Sequence, residues 1–276
     1  MKVDFIIKFG GSAVTVKNQL ETIKDGCLSH ACSIVKYLIE QGRTLIVVHG
    51  AGSFGHHQAK QYNVTSGYQH LLGDDQDKVK YGFCATRISV TKLNHMIVER
   101  LFEHGVHAVG IPAFGSWSTD NREVIQHNTD TIMGVLNNGL VPVLHGDCVL
   151  DQSKGCVILS GDTIIQTLSR ILEIQEVVFL TDVDGIFNKS PSNVDAILIP
   201  EVTVDSSGYL STPIETDDST FDVTGGIELK LKTAKNVVLD SKGRTSVWIC
   251  NVTCTPSSVH IKNTRSYGTH VKLHLT

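Results

Sequence analysis

The sequence has little of what membrane proteins, secreted proteins and nucleic-acid binders require. No apolar run approaches the roughly 18 residues of a membrane-spanning helix. Asp4 interrupts the short apolar run at the start of the sequence, so no signal peptide is indicated. The 24 Lys and Arg are outnumbered by 28 Asp and Glu, which leaves no basic field to attract a phosphate backbone. From these absences we expect a cytoplasmic protein with neither a membrane nor a nucleic-acid partner.

Signals for disulfides and for a metal site are equally weak. The seven cysteines are odd in number, and a reducing compartment would keep them as thiols. Cys250 and Cys254 have three residues between them, but no second ligand pair of matching spacing accompanies them. We therefore expect Cys250 and Cys254 to be small buried side chains and the protein to supply no metal site.

Apolar runs alternate with amphipathic helical patterns along all 276 residues. Such alternation predicts an α/β fold with a mainly parallel central sheet covered on both faces. We expect strands at 3–9, 44–49, 106–111, 140–145, 176–181, 245–250 and 269–274, helices at 20–40, 76–104, 129–137, 162–173 and 226–240, a hairpin over 148–159 and a long loop over 188–220. The whole chain is expected to form one domain, with an N-terminal lobe (1–160) and a C-terminal lobe (161–276).

Glycine-rich turns follow three of the predicted strands and open one of the predicted helices. The most informative turn runs from His49 to His56, where three glycines in six residues follow the apolar run 44–48. Similar turns contain Gly10-Gly11, Gly146 and Gly225-Gly226. Glycine lets backbone N–H groups converge into a concave anion site, and the carboxyl ends of parallel strands share one edge. The turns therefore predict a site for a phosphate or a carboxylate at that edge.

Neither of two common phosphate-binding motifs explains these turns. A Walker loop is absent. Residues 50–55 match Gly-x-Gly-x-x-Gly, but this segment does not follow the first strand of the chain. The acidic residue expected about 20 residues later is also missing, because the next acids are Asp74 and Asp75. NAD binding is therefore disfavoured.

Lysines accompany two of the glycine turns. Lys8 ends the first predicted strand, Lys17 lies beyond the Gly10-Gly11 turn, and Lys230 lies one helical turn past Gly226. Moving a phosphoryl group between two anions requires positive charge around the transferred oxygens. Lysine supplies that charge as a mobile point charge. The combination favours phosphoryl transfer.

In their order along the chain, these motifs resemble the amino acid kinase superfamily. The resemblance spans nearly the whole sequence and rests on Lys8-x-Gly10-Gly11-Ser12, His49-Gly50-x-Gly52, Gly161-Asp162, the segment 180–185, and the segment 222–226 followed by Lys230. Within that superfamily, residues 52–56, 145–147 and 160–162 are similar to the isopentenyl phosphate kinases. This resemblance implies a three-layer α/β/α sandwich and a homodimer. It also implies ATP- and Mg²⁺-dependent phosphorylation of isopentenyl monophosphate to isopentenyl diphosphate by direct in-line transfer.

The resemblance also implies a role for each matching residue. ATP would contact Lys8, Gly10, Gly11, Ser12, Gly52, Asp182, Gly226 and Lys230. The acceptor phosphate would contact Ala51, Gly52, His56 and Gly146. Catalysis would depend on Lys8, Lys17, His56, Asp162 and Lys230, with Asp162 orienting the two lysines that hold phosphate.

Elementary chemistry agrees with a phosphate monoester as the acceptor, and other acceptors remain as alternatives. A phosphate monoester has its second pKa near 6, so its oxygen is already anionic at pH 7 and needs no general base. A kinase of the same fold could instead phosphorylate a phosphonate such as fosfomycin, or a carboxylate such as N-acetylglutamate. A carboxylate would favour an arginine beside the acceptor loop, and the nearest one is Arg87 on a predicted helix. A non-catalytic sensor of the same fold is disfavoured, because all three lysines are present.

Overall fold

An eight-stranded sheet forms the centre of the computed structural model, which describes residues 2–189, 193–210, 226–259 and 268–274. The strands are β1 (Lys2–Phe9), β2 (Leu45–His49), β3 (Ala108–Ile111), β4 (Ser118–Asp120), β5 (Glu123–Gln126), β6 (Val141–His145), β7 (Asp147–Asp151), β8 (Gly155–Leu159), β9 (Glu173–Thr181), β10 (Glu201–Val204), β11 (Ser246–Asn251) and β12 (Thr269–Leu273). The α-helices are α1 (Gly11–Val14), α2 (Asp25–Glu40), α3 (His56–Gln61), α4 (Gly73–Glu103), α5 (Thr129–Asn137), α6 (Gly161–Ile171) and α7 (Gly226–Asp240). Short 3₁₀ turns occur at Gly52–Phe54, Val64–Ser66 and Pro256–Val259.

The large sheet has the strand order β10-β12-β11-β9-β1-β2-β6-β3. Its neighbouring strands are parallel except for the antiparallel pair β11 and β12. In the middle of the sheet Phe9 is in register with both His49 and Leu180, and His49 is in register with His145. The carboxyl ends of β9, β1, β2 and β6 therefore lie side by side, and the loops that leave them share one edge.

Alternating residues of the central strands build two apolar layers. Ile6 packs in one buried cluster, which also contains side chains of α5, α6 and α7. Ile7 packs in the other, which contains side chains of α2 and α4. Because successive strand residues point to opposite faces, each strand supplies both layers. This arrangement confirms the predicted three-layer sandwich with a mainly parallel sheet.

A second, four-stranded sheet has the order β5-β4-β7-β8. Its β7–β8 hairpin is the one predicted over 148–159, and Asp151 pairs with Gly155 at its turn. Strands β4 and β5 were not predicted, because their short, mostly polar sequences carry no alternating apolar pattern.

Several predicted boundaries shift in the structure. The helix expected over 20–40 begins at Asp25, because residues 15–24 form a loop closed by a bridge between Thr15 and Ile23. The loop expected over 188–220 contains strand β10, while positions 190–192 and 211–220 of it lie outside the described residues. In the described ranges, none of the helices has the length and apolarity needed to cross a bilayer.

Candidate active site

Three glycine loops leave the central strands at the same level. Gly10 N–H donates to the Leu180 carbonyl at 2.9 Å, and Gly50 N–H donates to the Phe9 carbonyl at 3.0 Å. Gly146 N–H donates to the His49 carbonyl at 3.1 Å. Each of these bonds extends a parallel ladder one residue beyond its strand. The sheet therefore fixes the loops next to one another, as the sequence predicted.

The loops after β1 and β2 touch through their glycines. A Cβ atom on Gly11 would lie 2.5 Å from the Gly52 nitrogen, and one on Gly50 would lie 2.9 Å from the Gly11 nitrogen. Gly52 also has a φ of +50°, which L side chains adopt with strain. The N–H groups of Gly11, Ala51 and Gly52 donate to no acceptor within the described part of the chain. These donors form a concave surface suited to phosphate oxygens.

A buried ion pair lies beside these loops. The Lys8 Nζ atom is 2.6 Å from Asp162 Oδ2, and the two side chains are 7% and 16% exposed. Ser160 caps α6 by accepting a hydrogen bond from Thr163 N–H, which places Asp162 in the first turn of that helix. The other carboxylate oxygen of Asp162 is buried without a partner among the described residues. Asp162 can therefore accept a second donor while it orients Lys8.

Lys230 shares the electrostatic environment of this ion pair. Helix α7 begins at Gly226, as predicted, and carries the half-buried Lys230. Burial lowers the pKa of Lys230, the charge of Lys8 lowers it further, and Asp182 and Asp162 oppose the shift. These four groups are therefore neighbours at the β9–β1 end of the edge. Residues 222–225, which complete the predicted motif, lie outside the described residues.

His56 begins α3, directly after the glycine loop that follows β2. Although the side chain is exposed at the surface, partial burial of the ring lowers the pKa of His56, followed by the charges of His57 and Lys17. Lys17 is exposed, and its carbonyl accepts a hydrogen bond from His57 Nε2 at 3.2 Å. The loop that carries Lys17 therefore lies beside the start of α3.

The loop that carries Lys17 is fastened to the β2 loop. Ser53 N–H donates to Thr15 Oγ1 at 3.0 Å. The carboxylate of Glu21 accepts hydrogen bonds from Ser89 and Lys92 on α4, each at 2.6 Å, and both bonds lower the pKa of Glu21. Sequence reasoning missed this role of Glu21, because its partners lie about seventy residues further along the chain.

Backbone groups of Gly146 and Ser12 are already hydrogen-bonded within the protein. The Gly146 N–H is already hydrogen-bonded to His49, so Gly146 contributes space rather than a donor to a ligand. The carbonyl of Ser12 accepts a hydrogen bond from Lys24 Nζ at 2.7 Å, which anchors the turn around Gly11. Asp182 is exposed, just beyond β9.

Arg87, on α4, contacts the residue that follows the Gly146 turn. Its guanidinium contacts both carboxylate oxygens of Asp147, at 3.1 and 3.2 Å, and it covers the ring of Phe114. Asp147 directly follows Gly146, and its side chain is fully buried. The positive charge of Arg87 is therefore neutralised by the protein. The sequence shows the helix but not this pairing, which depends on tertiary packing.

An apolar cluster adjoins the acceptor loop. Ala59 on α3 and Cys148 on β7 are two of its members, and these elements begin at His56 and one residue after Gly146 respectively. The remaining members are Val64, Val79 and Cys156, with Tyr62, Tyr68, Leu71 and Phe83 packed against them. This cluster therefore lies next in the chain to both segments that the sequence assigns to the acceptor.

Comparison with known proteins agrees with this geometry. A family model described as the amino acid kinase family matches residues 5–251. Isopentenyl phosphate kinase from Arabidopsis thaliana is 37% identical over 83% of this chain and 82% of its own length. Isopentenyl phosphate kinase from Thermoplasma acidophilum is 30% identical over 89% of this chain and 91% of its own length. A crystal structure of an isopentenyl phosphate kinase shares 25% identity with a TM-score of 0.78, covering 97% of this chain and 99% of that one. The chain thus belongs to the amino acid kinase family, among the isopentenyl phosphate kinases.

Proposed function

We propose that this protein transfers the γ-phosphoryl group of ATP to isopentenyl phosphate, giving ADP and isopentenyl diphosphate. One observation carries the proposal: Lys8, paired with Asp162, precedes one of two touching glycine loops by two residues, and the exposed His56 directly follows the other loop. Two anions meeting there would find cations on one side and hydrogen-bond donors on the other. Such preorganised donors account for much of the rate enhancement of phosphoryl transfer.

The donor end of the site is suited to ATP phosphates. Lys8 and Lys230 supply two positive charges, and Asp162 holds Lys8 in one position. The N–H groups of Gly11 and Gly52 add neutral donors from the touching loops. These groups stabilise negative charge but supply no covalent nucleophile. They therefore support direct in-line transfer.

The acceptor end is suited to a phosphate monoester with an apolar tail. His56 and the Ala51 N–H would bind its phosphate, and Lys17 would compensate the charge of the moving group. The apolar cluster that begins at Ala59 and Cys148 would contain the hydrocarbon. A carboxylate acceptor fits less well, because Asp147 already occupies the Nε–Nη2 edge of the Arg87 guanidinium and neutralises its charge.

Mg²⁺, dimerisation and location complete the proposal. Among the described residues, no group of three or more His, Cys, Asp or Glu side chains could hold a metal ion. Mg²⁺ would therefore be carried by the ATP phosphates and water, as is usual for this ion, and would neutralise phosphate charge. We also propose that the enzyme is a homodimer in the cytoplasm, as the family resemblance implies. Sedimentation at micromolar concentration would test the dimer.

An ADP-release assay with four acceptors tests the proposed function. Isopentenyl phosphate, dimethylallyl phosphate, fosfomycin and N-acetylglutamate are compared at equal concentrations with ATP and Mg²⁺. We expect turnover with the two isoprenoid monophosphates. Turnover with N-acetylglutamate alone, or with fosfomycin alone, would replace the proposed acceptor. Nucleotide binding without turnover of any acceptor would favour the sensor.

A further inference from the structure

We propose that His49 and His145 are positioning residues, whose buried imidazoles hold the peptide planes of the acceptor loops by hydrogen bonds to the Gly50 and Gly146 carbonyls. The role of these peptides in binding the acceptor rests on the proposed function. The hydrogen bonds and their partners do not depend on it.

The two histidines occupy equivalent places at the ends of neighbouring strands. They are in register across β2 and β6, and both are fully buried. Their rings stack with centroids 5.3 Å apart and planes 19° apart. In each residue Nδ1 lies 3.0 Å from the carbonyl oxygen of the following glycine. The same local device therefore occurs twice, side by side.

The hydrogen bonds define the tautomer of His49. A carbonyl oxygen accepts and cannot donate, so Nδ1 carries the proton. The Nε2 atom is then an acceptor, and Asn94 Nδ2 lies 3.1 Å from it. Asn94 also donates to the Val143 carbonyl, and it approaches closely because Gly110 has no side chain. His49 is thus fixed at both ring nitrogens, and α4 is linked to the acceptor loop.

Both rings act as neutral hydrogen-bond donors. Burial, followed by the neighbouring His145, lowers the pKa of His49 to about 3. Burial also lowers the pKa of His145. At neutral pH neither ring adds positive charge to the site, so the pair can act through the direction of one N–H group each.

The hydrogen bond to the Gly50 carbonyl also orients a backbone N–H group that can donate to a ligand. Because the peptide bond is trans and planar, fixing the Gly50 carbonyl also fixes the Ala51 N–H in the opposite direction. The Ala51 N–H is one of the donors with no acceptor within the described ranges. The bond at Gly146 likewise fixes the peptide that leads into β7 and Asp147. Loss of a histidine would leave the chain in place but let these peptides rotate.

His145 is held less completely than His49. Its Nε2 atom has no hydrogen-bond partner in the described part of the protein. Together with Asn94 it lines a cavity of about 290 Å³ between α4 and the end of β3. A replacement of His145 therefore has room to relax, and we expect weaker effects there than at His49.

Asparagine and glutamine substitutions at each histidine distinguish a role in hydrogen bonding from a role in filling space. The side-chain nitrogen of asparagine can take the place of Nδ1, whereas the amide of glutamine reaches the place of Nε2. The variants are His49→Asn, His49→Gln, His145→Asn and His145→Gln. The KM for isopentenyl phosphate, the KM for ATP and kcat are measured for each, with thermal unfolding to verify the fold.

We expect His49→Gln to raise the acceptor KM about tenfold, as for loss of one well-placed hydrogen bond. The KM for ATP should change much less, and His49→Asn should recover most of the loss. Equal increases in both KM values, or equal behaviour of Asn and Gln, would refute the proposal. If the His49 variants do not fold, the same comparison at His145 decides the outcome. If the wild type prefers another acceptor, the proposed function fails and the test is repeated with that acceptor.

Discussion

The two ends of the active-site edge are built differently. At the β9–β1 end, Lys8, Asp162 and Lys230 bring buried or half-buried charges together. At the β2–β6 end, the buried groups include the neutral imidazoles of His49 and His145. Arg87 also reaches this end, but its charge is already paired with Asp147, the buried residue after Gly146.

This difference suits the two ligands that the edge must hold. ATP brings several phosphate charges, so its end of the site gains most from fixed cations. The acceptor brings one phosphate and an apolar tail, so its end gains more from oriented N–H groups and an adjoining apolar wall. The comparison predicts that charge changes affect catalysis most at one end and that geometric changes affect acceptor binding most at the other.

Removing the charge of Lys8 should produce the largest effect. We expect Lys8→Met, which keeps much of the side-chain volume, to lower kcat by about 10²- to 10³-fold, as for loss of one preorganised transition-state donor. Initial rates at saturating ATP and acceptor measure the change. Lys36→Met is the matched control, because Lys36 is an exposed residue on α2 that pairs with Glu40. A kcat for Lys8→Met close to that of the control would contradict the account.

Removing the imidazole of His56 should act on acceptor binding. A hydrogen bond to a charged group is worth about 1.5 to 3 kcal/mol, so His56→Ala should raise the acceptor KM about 10- to 100-fold. The KM for ATP should stay nearly constant. The exposed His107, far along the chain on the approach to β3, provides the control variant His107→Ala. Similar increases in both KM values would instead indicate that His56 supports the fold or binds both ligands.

The neutral histidines should make the fold sensitive to mild acid. Burial holds the pKa of His49 at about 3, compared with 6.5 for the unperturbed side chain. Between these values the unfolded chain binds a proton that the folded chain does not, so stability falls as the pH falls below 6.5. The slope is about 1.4 kcal/mol per pH unit for each such histidine.

Urea unfolding at pH 6.5 and pH 5 measures this loss of stability, in a range above the titration of most carboxylates. His49→Asn cannot take up the proton and should flatten the dependence. An unchanged slope in His49→Asn would mean that other groups cause the acid sensitivity.

The sequence predicts where the strands of the site end and where its loops begin, because both follow from local patterns. The apolar run before His49 and the glycines after it determine where β2 ends and where its loop begins. Lys8 and Lys230 are found by their spacing from glycines on elements with clear periodicity. A parallel sheet then brings these elements to one edge without further information.

What the sequence does not predict depends on contacts between distant segments. Nothing near Arg87 indicates that it pairs with Asp147, or that Asn94 meets His49. The short strand β4 pairs with β7 although its own sequence is mostly polar, since tertiary pairing overrides weak local preference. The contacts of Arg87 and Asn94 arise from packing of α4 against the large sheet and its loops, which no local sequence pattern encodes.

A bisubstrate compound gives the most direct test of the central claim that both anions occupy one continuous edge. Adenosine joined through four phosphates to an isopentenyl group spans ATP and the acceptor phosphate. Calorimetric titration is expected to show that this compound binds much more tightly than ADP, and that Lys8→Met and His56→Ala each weaken it. Affinity no greater than that of ADP, unaffected by His56→Ala, would contradict the shared site.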